Sequence, residues 1–365
     1  MKNKYYRLDA ILSKNAVYNV IFGERSNGKS YAVLEYALKK FLTDRSQLAI
    51  VRRWSDDFIG KRGQMMFASL VQNGDGKNVV SAITGGEWTD IYYFSSKWYL
   101  CRFDEDGKRE TMETPFAFGF SITAQEHDKS TSYPKIKTVL FDEFLTRSMY
   151  VNDEFVLFMN TLSTIIRQRS DVKIFMLGNT VNKYCPYFAE MGLKHVKNMK
   201  QGTIDLYSYG DSKLTVAVEY VKPNASGKAS DFYFAFDNPK LQMITGGDWE
   251  IAIYDHLPMK YEHKHICFEY FIDFDGELLH AEIVMKDGCL FTFIHRKTTP
   301  IKNEKKDLVF SRDKSPLPNW NQNFMKPVNK LHERVLNVWK TGKVFYSDNE
   351  TGEIMRNYLQ YCSTF

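Results

Sequence analysis

The sequence predicts a mixed α/β protein with a parallel central sheet, followed by a smaller α+β domain. Three observations carry this prediction. A glycine-rich loop at residues 23–30 lies between an apolar strand and a helix. A second apolar strand, residues 137–141, ends in two adjacent carboxylates. From residue 263 onward, three short strands separated by turn signals replace the alternation of strands and helices.

The glycine-rich loop fits the pattern G-x-x-x-x-G-K-[ST] without a gap. Residues 17–22 form an apolar strand before it, and residues 30–42 carry apolar side chains at helical spacing after it. In such a loop the backbone N–H groups surround phosphates, Lys29 reaches the β- and γ-phosphates, and Ser30 ligates Mg²⁺. We therefore predict a nucleoside triphosphate site made of Gly23, Glu24, Arg25, Ser26, Asn27, Gly28, Lys29 and Ser30.

The two carboxylates after the second apolar strand are Asp142 and Glu143. Asp142 is placed to hold Mg²⁺ together with Ser30, and Glu143 is placed to polarise an attacking water. A glutamate directly after the metal-binding aspartate is typical of P-loop NTPases of the additional-strand catalytic-glutamate type. A small-molecule P-loop kinase is an alternative interpretation, but a kinase needs no water-activating glutamate at this position.

Length and composition indicate a folded protein of two domains. The chain has 365 residues, of which 44% are hydrophobic and 15% aromatic. A formal charge of +5 permits a polyanionic partner but does not require one. The cysteines are scattered and never spaced C-x-x-C, which argues against a disulfide framework or a cysteine-based zinc site and favours a reducing cytoplasm. We also expect neither export nor a membrane partner, because the sequence contains no apolar run long enough for a span.

Changes in local pattern predict the domain boundaries. We expect an ATPase-type domain at residues 1–222, a linker subdomain at 223–260 that begins with a polar segment, and a third unit at 261–365. Within the first domain, residues 58–78 read as helical with glycine interruptions and residues 79–120 read as β-rich. An amphipathic helix is expected at residues 152–169, and a strand at 172–177.

Several polar side chains at the ends of these elements are further candidates. Arg52 and Arg53 follow the strand at residues 47–51, where phosphate or DNA contact and simple solvated charge are equally good interpretations. The basic segment around Lys61 and Arg62 is expected to be an exposed loop and a DNA contact. Asn179 follows a strand and occupies the position of a γ-phosphate sensor, or is only a turn residue.

Taken together, these motifs resemble the genome-packaging ATPases of small phages with short tails. The residues that carry the resemblance are the loop at 23–30, Val51-Arg52-Arg53, the approach at 129–134, the segment 139–144, Arg167-Gln168-Arg169 and Gly178-Asn179. The resemblance implies a motor that uses ATP and Mg²⁺ to move double-stranded DNA through a portal into a procapsid. It also implies a homo-oligomeric ring, expected to be a pentamer, that acts in the host cytoplasm at the portal vertex, with a structural RNA as a further candidate partner.

The same resemblance implies roles for individual residues. Arg25 would be the arginine of the phosphate loop, Glu143 the catalytic glutamate, and Asn179 the residue that holds or releases that glutamate. Arg167 would be a finger acting on the ATP of the neighbouring subunit, and Lys129 a weaker candidate for a residue acting across the subunit interface.

For residues 261–365 the resemblance implies an RNase H-like domain that has lost its nuclease activity. A two-metal nuclease site needs several converging carboxylates, whereas the first strand of this segment offers Glu269 alone. Asp273 and Asp275 read as turn residues and Asp348 follows a later strand, although a site assembled from Glu269, Asp273 and Asp348 remains an alternative. The remaining alternatives for the whole chain are another P-loop ATPase of phage assembly and a helicase-like translocase of nucleic acid. The lack of an apolar span argues against the assembly type.

Overall fold

The computed structural model describes residues 5–124, 132–147, 150–151, 153–223, 248–250 and 252–363. Lys129 and most of the predicted linker subdomain lie outside these residues. The chain divides into two compact units, Met1–Trp249 and Glu250–Phe365. In the part of the chain described, no helix has the length and apolar character needed to cross a membrane.

The first unit consists of one large sheet with helices packed against it. Its helices are α1 (Asp9–Leu12), α2 (Lys29–Asp44), α3 (Lys61–Met65), α4 (Ala68–Val71), α5 (Val79–Thr84), α6 (Glu154–Ile166) and α7 (Pro186–Glu190). Its strands are β1 (Tyr18–Gly23), β2 (Gln47–Arg52), β3 (Asp90–Phe94), β4 (Lys97–Phe103), β5 (Arg109–Thr111), β6 (Ala117–Ser121), β7 (Ile136–Asp142), β8 (Lys173–Asn179), β9 (Thr203–Ser208) and β10 (Thr215–Tyr220).

These strands form one mixed sheet in the order β3-β4-β6-β2-β7-β8-β1-β10-β9, with β5 paired to β4. The central run from β6 to β10 is parallel throughout, and antiparallel strands extend it at both edges. The predicted parallel central sheet is therefore confirmed. Parallel strands all end at one edge, so the segments that follow β1, β2, β7 and β8 meet there.

Both faces of the parallel strands are buried, which explains why they read as continuous apolar runs. Along β1, Val20 and Phe22 belong to the hydrophobic cluster on one face, where α6 and α7 pack. Ile21, between them, belongs to the opposite cluster together with Leu38 and Phe41 of α2. The helix that follows the glycine-rich loop is thus anchored directly beneath it.

The structure corrects two local expectations. Residues 79–84 are a helix, α5, although the segment 79–120 reads as β-rich. The Asn78 side chain accepts a hydrogen bond from the backbone N–H of Ser81, and Gly85 ends the helix at φ 65°, so local capping outweighs the β-branched residues. Lys61 and Arg62 likewise begin a short helix and do not lie in an open loop.

The second unit has a mixed sheet of its own with two packed helices. Its strands are β11 (Ile266–Phe274), β12 (Glu277–Lys286), β13 (Cys289–Arg296), β14 (Leu308–Ser311), β15 (Trp320–Asn321) and β16 (Val344–Tyr346), and its helices are α8 (Lys330–Lys340) and α9 (Asn349–Ser363). The strand order is β15-β14-β11-β12-β13-β16. The predicted meander is confirmed as β11 to β13. The sequence did not predict β14, which pairs in parallel with β11, or β15, which pairs in parallel with β14.

Candidate functional site: the edge where β1, β2, β7 and β8 end

The glycine-rich loop folds tightly because two of its residues adopt left-handed backbone angles. Ser26 has φ 62° and Gly28 has φ 93°. A side chain at Gly28 would also place its Cβ 3.2 Å from the Cβ of Tyr5. The backbone N–H of Tyr6 donates to the carbonyl oxygen of Asn27 at 3.0 Å, so the N-terminal segment packs against the loop. α2 begins at Lys29, which directs its N-terminus and positive dipole end into the site.

Lys29 is buried in the loop and held by oxygen atoms. Its Nζ atom donates to the carbonyl oxygen of Glu24 at 2.6 Å, to Asn27 Oδ1 at 3.2 Å and to Asn179 Oδ1 at 3.4 Å. Burial lowers the pKa of Lys29 to about 8, although the charges of Asp142 and Glu24 favour the ammonium. A cation held this way is ready to exchange neutral oxygen partners for phosphate oxygens. By contrast, Arg25 and Ser26, at the tip of the loop, are exposed.

Ser30 and Asp142 lie together, as the sequence predicts for a metal site. Ser30 Oγ donates to Asp142 Oδ1 at 3.2 Å. Ser30 is in the first turn of α2, after the loop that follows β1, and Asp142 ends β7; β8 lies between β1 and β7 and pairs with both in parallel. Burial raises the pKa of Asp142, and the nearby Arg52 guanidinium opposes this effect. A carboxylate and a hydroxyl are oxygen ligands of the kind that Mg²⁺ prefers, so these residues fit the ion.

Arg52 contacts both carboxylates at the end of β7. Its Nη2 atom lies 3.2 Å from Asp142 Oδ2, and its Nη1 atom lies 2.8 Å from Glu143 Oε2. The sheet explains this, because Val51 pairs with Phe141 and the next residue of each strand emerges at the same edge. Glu143 itself leaves the strand at φ 62° with an exposed side chain. Arg52 therefore lies inside the site, a position that favours a role in organising carboxylates over contact with DNA.

Arg53 faces the opposite way and is buried. It forms a two-pronged ion pair with Glu154 of α6, with Nε–Oε2 and Nη2–Oε1 distances of 2.8 Å each. Its Nη2 atom also donates to the carbonyl oxygen of Phe144 at 3.1 Å, and Tyr187 donates to Glu154 Oε1 at 2.9 Å. These contacts fix the segment that follows Glu143 to α6. Because the guanidinium of Arg53 is buried, it is not exposed to contact DNA phosphates.

Asn179 lies at the end of β8, directly opposite Gly23 in the strand register. Its described side-chain contact is with Lys29, whereas the residue in contact with the Glu143 carboxylate is Arg52. The position therefore fits a γ-phosphate sensor. The expected contact between Asn179 and Glu143 is not observed among the described residues. The Glu143 carboxylate is instead in contact with Arg52.

Arg167 and Arg169 have different environments at the end of α6. Arg169 donates to the backbone carbonyl oxygens of Tyr133 and Ile136, among others, at 3.1 and 2.7 Å, which fixes the helix end to the beginning of β7. Arg167 ends the helix at φ 43° and its side chain is exposed. β7 spans about 20 Å from Ile136 to Asp142. Arg167 thus lies at the sheet edge opposite the site of its own subunit.

The exposed residues Lys61 and Arg62 lie on the short helix α3, which packs closely against β3 and β4. Trp98 Nε1 donates to the carbonyl oxygen of Gly63 at 2.8 Å, and a Cβ at Gly63 would lie 2.5 Å from the Tyr93 ring. The close approach of α3 to β3 and β4 requires glycine there. Both basic side chains are exposed on this anchored helix.

Two contributions to the site were not predicted from the sequence. One is the clasp of Arg52 on the carboxylates, which depends on β2 and β7 being neighbours. The other is the N-terminal segment, where Tyr5 and Tyr6 pack on the loop. No short sequence motif predicts either contact, since each joins segments that are far apart in the chain.

The fold and the site together define a mixed α/β protein in which a glycine-rich loop of the P-loop pattern, Asp142 and Glu143 meet at one edge of a parallel central sheet. The profile of the podovirus DNA encapsidation protein (Gp16) family matches residues 1–85 and 105–220. The chain belongs to this family.

Individual relatives agree with this assignment. The DNA packaging proteins of Bacillus phages PZA and phi29 are each 27% identical over 190 residues, which is 51% of this chain and 50% of the relative. The chain thus spans about half the length of the curated relatives it matches.

Solved structures resemble the chain over nearly its whole length. The bacteriophage Phi-29 viral genome packaging motor assembly has a TM-score of 0.54 at 18% identity, covering 97% of each chain. The Phi-28 gp11 DNA packaging motor has a TM-score of 0.53 at 16% identity, covering 99% of this chain and 98% of that one. At these identities the likeness shows a shared fold.

Proposed function

We propose that this chain is an ATPase that uses Mg²⁺-ATP to drive DNA into a viral procapsid. The observation that carries the proposal is the convergence of Lys29, Ser30 and Asp142 at one edge of the sheet, with Glu143 as the next residue. Lys29 would bind the phosphates, Ser30 and Asp142 would hold the metal, and Glu143 would activate water. The metal supplies charge stabilisation at the transferring phosphoryl group.

The strand order supports the additional-strand catalytic-glutamate type. β8 is inserted between β1, which carries the phosphate loop, and β7, which carries the carboxylates. Arg52 would have to release Glu143 before that carboxylate can orient a water, because its present contact is only 2.8 Å. Asn179, which contacts Lys29, would report the γ-phosphate to β8.

Translocation of double-stranded DNA and assembly at a portal are proposed from the family description, which names DNA encapsidation. Lys61 and Arg62 are the proposed DNA contacts, since both are exposed on an anchored helix and can neutralise phosphates of any sequence. We further propose that the chain forms a homo-oligomeric ring of five subunits. A structural RNA is a further candidate partner of this ring. Lys129 remains a candidate for a residue acting across the subunit interface.

The ring proposal gains support from the place of Arg167. An arginine at the edge opposite the phosphate loop, about 20 Å away, cannot reach the ATP of its own subunit. Its exposure allows contact with a neighbouring subunit. We therefore propose that Arg167 stabilises transition-state charge in trans.

For the second unit we propose an RNase H-like domain without nuclease activity. The order β13-β12-β11-β14-β15, antiparallel and then parallel, supports that fold. Glu269 and Asp348, two of the carboxylates that a nuclease site would need, each contact a different neighbour. Glu269 lies against His280, and Asp348 accepts hydrogen bonds from Thr351 in the first turn of α9. Asp273 lies within β11 and not in the expected turn, and its pKa is raised by burial and by the charge of Asp313.

An ATPase assay with separate arms tests the proposed function. Purified protein is assayed alone, with double-stranded DNA, with single-stranded DNA, and with empty procapsids plus DNA. The proposal expects the greatest stimulation with procapsids and double-stranded DNA, together with protection of that DNA from added nuclease. Stimulation by single-stranded DNA alone would favour the helicase-like alternative. Absence of hydrolysis in every arm would contradict the proposal.

A further inference from the structure

A cluster of imidazole and carboxylate groups lies on the β12–β13 hairpin, apart from the nucleotide site. His280 and Glu282 are two residues apart on β12, so their side chains point to the same face of the sheet. His295 on β13 is directly opposite His280 in the register. Leu279, Ala281 and Ile283, which alternate with these residues, are buried on the other face. The three polar side chains therefore converge because the sheet places them together.

The distances within the cluster suit a metal ion. One ligand atom from each of His280, Glu282 and His295 lies within 4.8 Å of the other two. The Nε2 atom of His295 lies 3.8 Å from Glu282 Oε1. An ion bound tetrahedrally at 2.0–2.1 Å needs donor atoms about 3.4 Å apart, so small side-chain rotations complete the site.

Contacts outside the cluster orient two of the ligands. His295 Nδ1 lies 3.1 Å from the backbone carbonyl oxygen of Arg296. A carbonyl oxygen can only accept a hydrogen bond, so Nδ1 carries the proton. The Nε2 atom then presents its lone pair to the cluster. Glu282 Oε2 accepts a hydrogen bond from the Tyr261 hydroxyl, which leaves Oε1 toward His295. A hydrogen bond from the second nitrogen of a histidine to a carbonyl is the usual support of a metal ligand.

The third proposed ligand is His280, whose Nε2 atom lacks a hydrogen-bond partner among the described residues. Its Nε2 atom is buried and makes no hydrogen bond to any described residue. Glu269 Oε1 approaches it to 3.1 Å but outside hydrogen-bonding geometry. A buried polar atom without a partner is costly and calls for a ligand.

We propose that His280, Glu282 and His295 bind one zinc ion. Two imidazoles and a carboxylate are a ligand set that zinc accepts with a fourth position open to water, whereas Mg²⁺ and Ca²⁺ prefer oxygen ligands alone. The ion ties β12 to β13 in the middle of the second unit. This site is separate from the Mg²⁺ site expected at Ser30 and Asp142.

The test uses the whole 365-residue chain with a purification tag that lacks histidine. The protein is stripped of metal and then kept in excess Mg²⁺ so that the nucleotide site does not take up zinc. Zinc is titrated in competition with a chromogenic chelator, and the melting temperature is recorded with and without zinc. We expect one equivalent of zinc to bind and to raise the melting temperature of the wild-type protein.

The variants are His295→Ala and Glu282→Gln, with His263→Ala as the matched control. His263 is exposed on the surface of the same unit. Removal of a ligand should weaken zinc binding by more than the roughly 10- to 100-fold that loss of an outer partner costs. The His263 variant should bind zinc as the wild type does.

Circular dichroism of the metal-free proteins shows whether each variant folds. If His295→Ala fails to fold, the decision rests on Glu282→Gln, which keeps the shape of the side chain, and on the visible spectrum of the Co²⁺-substituted wild type. A spectrum of four-coordinate Co²⁺ that Glu282→Gln loses supports the site. Zinc binding that is undiminished in both variants, or a wild type that binds no zinc, overturns the proposal.

Discussion

The guanidinium of Arg52 bridges the two carboxylates at the end of β7, lying 3.2 Å from Asp142 and 2.8 Å from Glu143. It therefore places a positive charge where a metal ion would meet Asp142. Mg²⁺ bound at Ser30 and Asp142 would compete with this charge. The same contact keeps Glu143 turned toward β2, so Arg52 would couple metal binding to the position of the proposed catalytic base.

Replacing Arg52 with Gln should strengthen metal binding and weaken catalysis. Because the ion is divalent, loss of a unit charge about 4 Å from it removes repulsion of up to about 8 kcal/mol at an effective dielectric of 20, and a sixth of that is already tenfold in affinity. We expect at least about tenfold tighter Mn²⁺ binding to the nucleotide-free protein, measured by electron paramagnetic resonance, with slower ATP turnover. Arg102→Gln, which breaks an exposed pair with Glu110, is the control. Unchanged Mn²⁺ affinity would show that the bridge does not form in solution.

Lys29→Ala and Glu143→Gln should separate binding from chemistry. The first removes the buried ammonium at the phosphate position, so we expect no measurable nucleotide binding. The second keeps the side-chain shape but cannot accept a proton, so binding should persist while turnover falls by about 10²- to 10⁴-fold. Fluorescent-nucleotide titration and phosphate release measure the two effects. A Glu143→Gln protein that hydrolyses ATP at the wild-type rate would exclude Glu143 as the base.

ATP affinity should fall as the pH rises above about 8. Burial lowers the pKa of Lys29 to about 8 in the free protein, and bound phosphates would raise it, so binding above that pH takes up a proton. The affinity should be flat near pH 7 and then fall by up to about tenfold per pH unit. Calorimetry in buffers of different ionisation enthalpy measures the proton directly. The absence of proton uptake at pH 9 would contradict this assignment.

Glu154→Gln should destabilise the first unit strongly. It leaves the buried Arg53 guanidinium without its carboxylate partner and disturbs the hydrogen bond from Tyr187. Breaking a buried pair from one side costs roughly 3–5 kcal/mol. Glu110→Gln breaks an exposed pair and should cost less than about 1 kcal/mol. Urea unfolding followed by circular dichroism compares the two, and equal midpoints would show that the buried pair contributes little.

Mixing two inactive variants tests the role of Arg167. Arg167→Ala should bind ATP but hydrolyse it poorly, because a finger from a neighbour contributes a factor of roughly 10³ to 10⁵ in other P-loop enzymes. Glu143→Gln keeps its own Arg167, so mixed rings should recover part of the activity at intact sites. Arg169→Ala is not a substitute, since Arg169 fixes α6 to β7. If mixed rings form and remain inactive, Arg167 does not act in trans.

The sequence by itself determined the elements and the local chemistry of the site. The loop at 23–30, the strand ending in Asp142 and Glu143, and the strand ending in Asn179 follow from short patterns. Each pattern is complete within about ten residues, because a strand, a turn and a helix start are decided by neighbouring side chains. The same local logic misread residues 79–84, where a cap at each end outweighed β-branched side chains.

Only the tertiary structure decided which of these ends meet. Arg52 and Arg53 are adjacent in sequence, yet one clasps Asp142 and Glu143 while the other is buried against Glu154. Strand neighbours and successive side chains that point to opposite faces set this difference, and neither is encoded near the residue itself. The pairing of His280 with His295 depends in the same way on the register of β12 and β13. Contacts of this kind arise from the packing of the whole sheet, so a local pattern cannot specify them.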